Sequence, residues 1–141
     1  MKGLHIIADL YHCSRDNTDG DMLTSAGKLR SLCVGACEAV GLTVLGEHFY
    51  QFGGADATQK GGTTGAVVLA ESHLAIHTWP ERDCATLDVY VCNFTADNSH
   101  RAETLYQTLI DALGPGAIQV ERIWRGKDLP VVQDEESCLT D

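Results

Sequence analysis

The chain has 141 residues, 44% of them apolar, and carries 10 Lys and Arg against 20 Asp and Glu. That length suits one domain with a sizeable core, and no apolar run approaches the roughly 18 residues of a membrane span. The net charge of −10 argues against nucleic acid, which rewards clustered cations, and suits a cationic small substrate.

Met1-Lys2-Gly3 leads directly into strand-like Leu4-His5-Ile6-Ile7-Ala8, without the pattern of a secretory signal. A cytoplasmic location is therefore expected. The six cysteines, at 13, 33, 37, 84, 92 and 138, form no CxxC pair and are expected to be reduced thiols. Cys33 and Cys37 lie four apart in a helical pattern and read as small buried apolar side chains.

In chain order, Leu4 to His12 reads as a first strand, and 14–20 as a polar turn from which Asp19 or Asp21 could cap a helix. Leu23, Ala26, Leu29, Cys33, Ala36 and Val40 recur at three and four, the mark of one buried helical face, and Gly41 ends it. Leu42 to Phe52 predicts an aromatic strand. Gly53 to Thr64, with four glycines, predicts a flexible loop, and its spacing matches no phosphate-binding fingerprint. Gly65 to Glu71 is apolar on both faces, as a central strand would be.

His73 to Trp79 continues extended until Pro80 interrupts the pairing. Thr86 to Cys92 alternates, with Leu87, Val89 and Val91 on one face. Asn98 or Ser99 could cap a second helix with the stripe Ala102, Leu105, Leu109, Ala112 and Leu113. Gly114-Pro115-Gly116 breaks it, Ala117 to Trp124 forms a last strand, and 127–141 is an acidic tail. Six strand runs, two helices and tight turns predict an α+β two-layer sandwich, a single domain over 1–126 with both helices on one face of a mainly antiparallel sheet.

The chemistry concentrates in Glu71-Ser72-His73 and the following Ile76-His77-Thr78-Trp79-Pro80-Glu81. A serine needs a base and an electrophile within reach. The electrophile can be the carbonyl of Glu71, attacked by Ser72 in an N-to-O shift, with His73 or His77 as base and a donor for the oxyanion. The residues alone leave other readings open. His73 and His77 share a strand face and could bind a metal with Cys84, Cys92 or Asp88, or form a structural histidine pair.

Residues 4–13 (Leu-His-Ile-Ile-Ala-Asp-Leu-Tyr-His-Cys), Phe49-Tyr50-Gln51-Phe52, the stretch from Thr64 to Glu81, and Asp88-Val89-Tyr90-Val91-Cys92 together resemble the small prokaryotic S-adenosylmethionine decarboxylases. The resemblance covers most of 4–125. It implies self-cleavage between Glu71 and Ser72 into a β chain of 1–71 and an α chain of 72–141, with Ser72 becoming a covalent pyruvoyl group. It implies that His77 assists processing, that Thr64 supplies a helper hydroxyl and that Cys92 reprotonates the product carbon. Phe52, Leu74, Trp79 and Glu81 fall near substrate contacts, with no metal, in a site built at a homodimer interface.

The implied chemistry is decarboxylation of an amine bound to the pyruvoyl carbonyl, the task that pyridoxal phosphate performs elsewhere. Phe52 could then stack on adenine or face the sulfonium, and Glu81 could bind ribose hydroxyls. Two positions depart from the family pattern: Thr64 stands where serine is frequent, and Gly53 to Thr63 is longer and richer in glycine. The second departure keeps a basic amino acid, ornithine or arginine, open as an alternative substrate. A non-catalytic regulatory paralogue is the alternative of another class.

Overall fold

Alternation along the first strand sets the architecture. In β1 (Gly3–Tyr11), Leu4, Ile6, Ala8 and Leu10 are buried, while His5, Ile7, Asp9 and Tyr11 face the other way and are only partly covered. The computed structural model describes residues 2–13, 22–94 and 96–126. It continues with α1 (Ala26–Ala39), β2 (Val44–Gly53), β3 (Lys60–Leu69), β4 (Ser72–Trp79), β5 (Cys84–Cys92), α2 (Ser99–Leu113) and β6 (Ala117–Arg125). The strands form one sheet in the order β2-β3-β4-β5-β1-β6, and every neighbouring pair is antiparallel.

Both helices cover the same face, as the α+β reading predicts. Leu29, Cys33, Ala36 and Cys37 of α1 and Ala102, Leu105, Tyr106, Leu109 and Leu113 of α2 join Val67, Leu74, Ile76, Leu87, Val89 and Val91 of the sheet in one core. Burial raises the thiol of Cys33 well above its usual range and that of Cys37 to about 11, so both pack as neutral apolar groups. The five cysteines among the described residues are free. Arg30 of α1 donates to Glu47 of β2 and Arg122 of β6 donates to Glu103 of α2, each at 2.6 Å, pinning each helix to an outer strand.

Several boundaries differ from the sequence expectation. Leu23 lies in a separate 3-10 turn (Met22–Thr24), and Ser25 caps α1 by accepting from the Lys28 N–H at 3.2 Å; Asp19 and Asp21 lie outside the described residues. Half of the glycine-rich stretch is strand. Only 54–59 connects β2 to β3, closed by Gly54 N–H to Gln59 O and by Asp56, which accepts from Thr58. Gly54, Gly61 and Gly62 answer to crowding rather than flexibility: a Cβ on Gly62 would stand 2.0 Å from the Thr78 carbonyl oxygen.

Gly65 shows the same principle inside β3. The ring of Phe49, its cross-strand partner, lies across it, and a Cβ there would come within 2.1 Å of the ring. Gly65→Ala should therefore destabilise the protein by about 1–3 kcal/mol, despite alanine's lower backbone entropy cost. A urea midpoint equal to that of the parent would mean that Phe49 relocates freely.

Candidate active site

The turn from β3 into β4 carries Ala70 and Glu71, and Ser72 is the first residue of β4. Ser72 has φ +148°, a region that L side chains avoid, at a cost of about 1–3 kcal/mol. Its neighbours hold it there. The main-chain N–H of Cys92 donates to the Glu71 carbonyl at 2.9 Å, which polarises the carbonyl that precedes the serine. The Asn98 amide donates to Glu71 Oε2 at 2.5 Å and to the Cys92 carbonyl at 2.9 Å, and Asn98 N–H donates to Asn93 Oδ1 at 2.8 Å.

Asn98 thus occupies the N-cap position of α2 without capping it with its side chain. Ser99 N–H is instead accepted by Asp97 at 3.0 Å, and bonds from Ser99 hold the Asp97 carboxyl below its usual range. Sequence spacing marked Asn98 only as a cap; nothing in it pointed across to Glu71.

A second group lies toward the other end of β4. Thr64 pairs with His77 across the β3–β4 ladder, and its Oγ1 lies 2.6 Å from His77 Nδ1. That contact orients the ring and leaves Nε2 available. Trp79 sits on the same face as His77, with ring centroids 6.2 Å apart, and Glu81 follows in a 3-10 turn (Pro80–Arg82). A cleft of about 1200 Å³ is lined by Phe52, Thr64, His77, Trp79 and Glu81 together with the β2–β3 connection. Phe52 and Trp79 are 49% and 40% exposed, and Phe52 meets Tyr50 edge-on at 5.0 Å.

The two groups do not meet within one copy of the chain. Ser72 and His77 are five residues apart on a continuous strand, roughly 17 Å at about 3.3 Å per residue. Glu71, Ser72 and Cys92 form one group, and Thr64, His77, Trp79, Glu81 and Phe52 the other. Leu74 joins neither, because its side chain is fully buried under the helices; only its main chain could reach a ligand.

The metal reading of His73 and His77 meets the same strand geometry. They share a face but stand about 13 Å apart along it, and among the described residues no group of three or more His, Cys, Asp or Glu could hold a metal ion. His73 instead packs with His5 and Tyr90, at ring distances of 6.2 and 5.8 Å. His5 Nε2 lies 2.6 Å from Asp88 Oδ1, and Arg125 covers the Tyr90 ring at 4.5 Å. Burial, helped by His5 and Arg125 and opposed by Asp88, holds the His73 imidazole below its ordinary range. This cluster spans four strands and is invisible without their register.

Comparisons with known proteins identify the family. The model of the S-adenosylmethionine decarboxylase family matches residues 4–126. The S-adenosylmethionine decarboxylase proenzyme of Aquifex aeolicus (strain VF5) is 38% identical over 135 residues, spanning 96% of this chain and 86% of the relative. That of Thermoplasma acidophilum is 36% identical over 124 residues, 88% of this chain and 83% of the relative. The crystal structure of the adenosylmethionine decarboxylase of Aquifex aeolicus VF5 superposes with a TM-score of 0.73 at 36% identity, covering 96% of this chain and 95% of that one. A family match over the whole described fold, together with relatives of that identity and coverage, means that this chain belongs to the S-adenosylmethionine decarboxylase family.

Proposed function

We propose that this chain is a self-processing, pyruvoyl-dependent S-adenosylmethionine decarboxylase, releasing CO2 and decarboxylated S-adenosylmethionine, the aminopropyl donor of polyamine synthesis. The observation that carries the proposal is the strained Ser72 directly after a carbonyl that accepts the Cys92 N–H. The names of the relatives favour S-adenosylmethionine over ornithine or arginine as the substrate.

The residues fit the formation of a pyruvoyl group at position 72. Ser72 Oγ attacks the Glu71 carbonyl carbon, and the oxyanion develops on the oxygen already bonded to Cys92 N–H. Collapse breaks the peptide C–N bond and leaves an ester. Removal of the Ser72 α-proton expels the Glu71 carboxylate, and water then replaces the resulting enamine nitrogen as ammonia. Once formed, the pyruvoyl group supplies an electrophilic carbonyl that accepts the electron pair released with CO2. Cys92 would hold the proton returned to the substrate carbon, Glu81 would bind ribose hydroxyls, and Phe52 and Trp79 would flank the adenine or the sulfonium.

His77 cannot serve Ser72 of its own chain across roughly 17 Å. The base therefore comes from a second copy of the chain. Among the described residues, the sheet face opposite the helices carries Tyr50, Phe52, Val68, Trp79 and Ile123, all well exposed. Two such faces packed about a two-fold axis would bring the Glu71–Ser72 end of one protomer to His77 of the partner subunit. In that homodimer, the Thr64 contact on Nδ1 leaves Nε2 to take the α-proton.

Intact-mass spectrometry should find two chains, split after Glu71, the second beginning with a pyruvoyl group; a single full-length chain after long incubation would sink the proposal. Ser72→Ala should abolish the split. Cys92→Ala should still cleave, while CO2 release from S-adenosylmethionine falls by at least about 100-fold; unaltered release would remove Cys92 from the proton-donor role. Mixing Ser72→Ala with His77→Ala subunits should restore cleavage of the His77→Ala chain, since one intact composite site results. No cleavage in the mixture, with heterodimers verified, would show that both groups act within one chain.

A further inference from the structure

We propose that Asn98 is the positioning residue for self-cleavage: its amide ties the Glu71 side chain to the Cys92 main chain and thereby holds the Glu71–Ser72 bond in its strained, reactive geometry. The inference rests on the reading that this bond is the one cut.

Asn98 is 2% exposed, and a buried primary amide is costly unless its hydrogens find acceptors. Both do so at the same place. One goes to Glu71 Oε2 and the other to the Cys92 carbonyl, at 2.5 and 2.9 Å. The residue thus ties the Glu71 side chain to the same Cys92 main chain whose N–H holds the Glu71 carbonyl, so both of its bonds act on the acyl side of the Glu71–Ser72 bond. Side chain and main chain of Glu71 are held by adjacent groups, leaving residue 71 little freedom to rotate.

The next residue is the one with φ +148°. A single serine relaxes out of such a region unless its flanks are fixed. The downstream flank is fixed by pairing of Ser72 with Leu69 and Val91; the upstream flank depends on Glu71, and therefore on Asn98. Asn98 is itself anchored, since its N–H donates to Asn93 Oδ1 and its carbonyl accepts the Ala102 N–H in the first turn of α2. The start of α2 is in this way coupled to the scissile turn.

Chemistry distinguishes this role from simple packing. The two oxygens that Asn98 meets are both acceptors, so an aspartate of the same shape would present an acceptor to each and a second carboxylate to Glu71. Converting Glu71 to glutamine would supply a donor in its place, reversing the direction of one bond. A shape-only role for Asn98 makes no such prediction.

The test is the rate of self-cleavage, followed by intact mass from the first appearance of folded proenzyme. Asn98→Asp should slow it by at least about tenfold, and Asn98→Ala by a smaller factor, since it removes donors without adding charge. Glu71→Gln alone should slow it modestly. The double variant Asn98→Asp with Glu71→Gln should recover at least about threefold over Asn98→Asp. Thermal midpoints of the same variants on the uncleavable Ser72→Ala background separate slow chemistry from poor folding. Should Asn98→Asp fail to fold there, Asn98→Ser, which loses the same two bonds, carries the test.

Parental cleavage rates in Asn98→Ala and Asn98→Asp, or additive losses in the double variant, would overturn the inference. Failure of the parent chain to cleave at all would instead overturn the function proposed above.

Discussion

An extended strand cannot bring residues five positions apart into contact, and β4 is extended from Ser72 to Trp79. Most of what is particular to this molecule follows from that constraint. The serine and its Glu71 neighbour sit at the entry of the strand, and His77 with Thr64 and Trp79 sits toward the exit. The sheet on either side is regular through this stretch, so no local bend shortens the gap. A chain built this way holds two separate groups of reactive side chains, and under the proposed function neither is complete by itself.

The way the core is made explains why those halves remain accessible. Both helices pack on one face, and the apolar positions of β1, β4 and β5 alternate toward them. The opposite face carries His5, His73, Asp88, Tyr90 and Arg125 on β1, β4, β5 and β6, and the large aromatic side chains Tyr50, Phe52 and Trp79 on β2 and at the exit of β4. A one-sided antiparallel sheet is stable with its second face in water, yet the aromatic groups there exceed what solvation needs. Pairing of two such faces would cover them and join complementary halves, so assembly and catalysis would draw on the same surface.

At the entry of β4 the structure tolerates an unfavourable serine conformation because several bonds converge on its upstream neighbour. The cost of such a conformation, about 1–3 kcal/mol, is a substantial share of a typical domain stability of about 5–15 kcal/mol. The proposed role of Asn98 links this strain to the start of α2, whose position is set by the buried stripe from Ala102 to Leu113. Core packing and the scissile turn are then parts of one arrangement.

The periodicities of the chain were enough to determine six strands, two helices and their one-sided packing, because alternation at two and recurrence at three and four are properties of local geometry. The density of reactive groups from Glu71 to Glu81 likewise marked a candidate segment, and the family resemblance supplied the roles expected of its residues. Locally crowded glycines misled: Gly61 and Gly62 read as flexible but lie in a strand against neighbouring main chain, a close approach that composition cannot encode. Leu74, beside the reactive groups in sequence, is core by alternation. What only the tertiary structure decided is which residues meet. It brought Asn98 and the Cys92 main chain to Glu71, gathered His5, His73, Tyr90 and Asp88 from three strands, and kept Ser72 and His77 apart. Those outcomes depend on strand order and register, which arise from contacts between distant segments and so leave no trace in any short stretch of sequence.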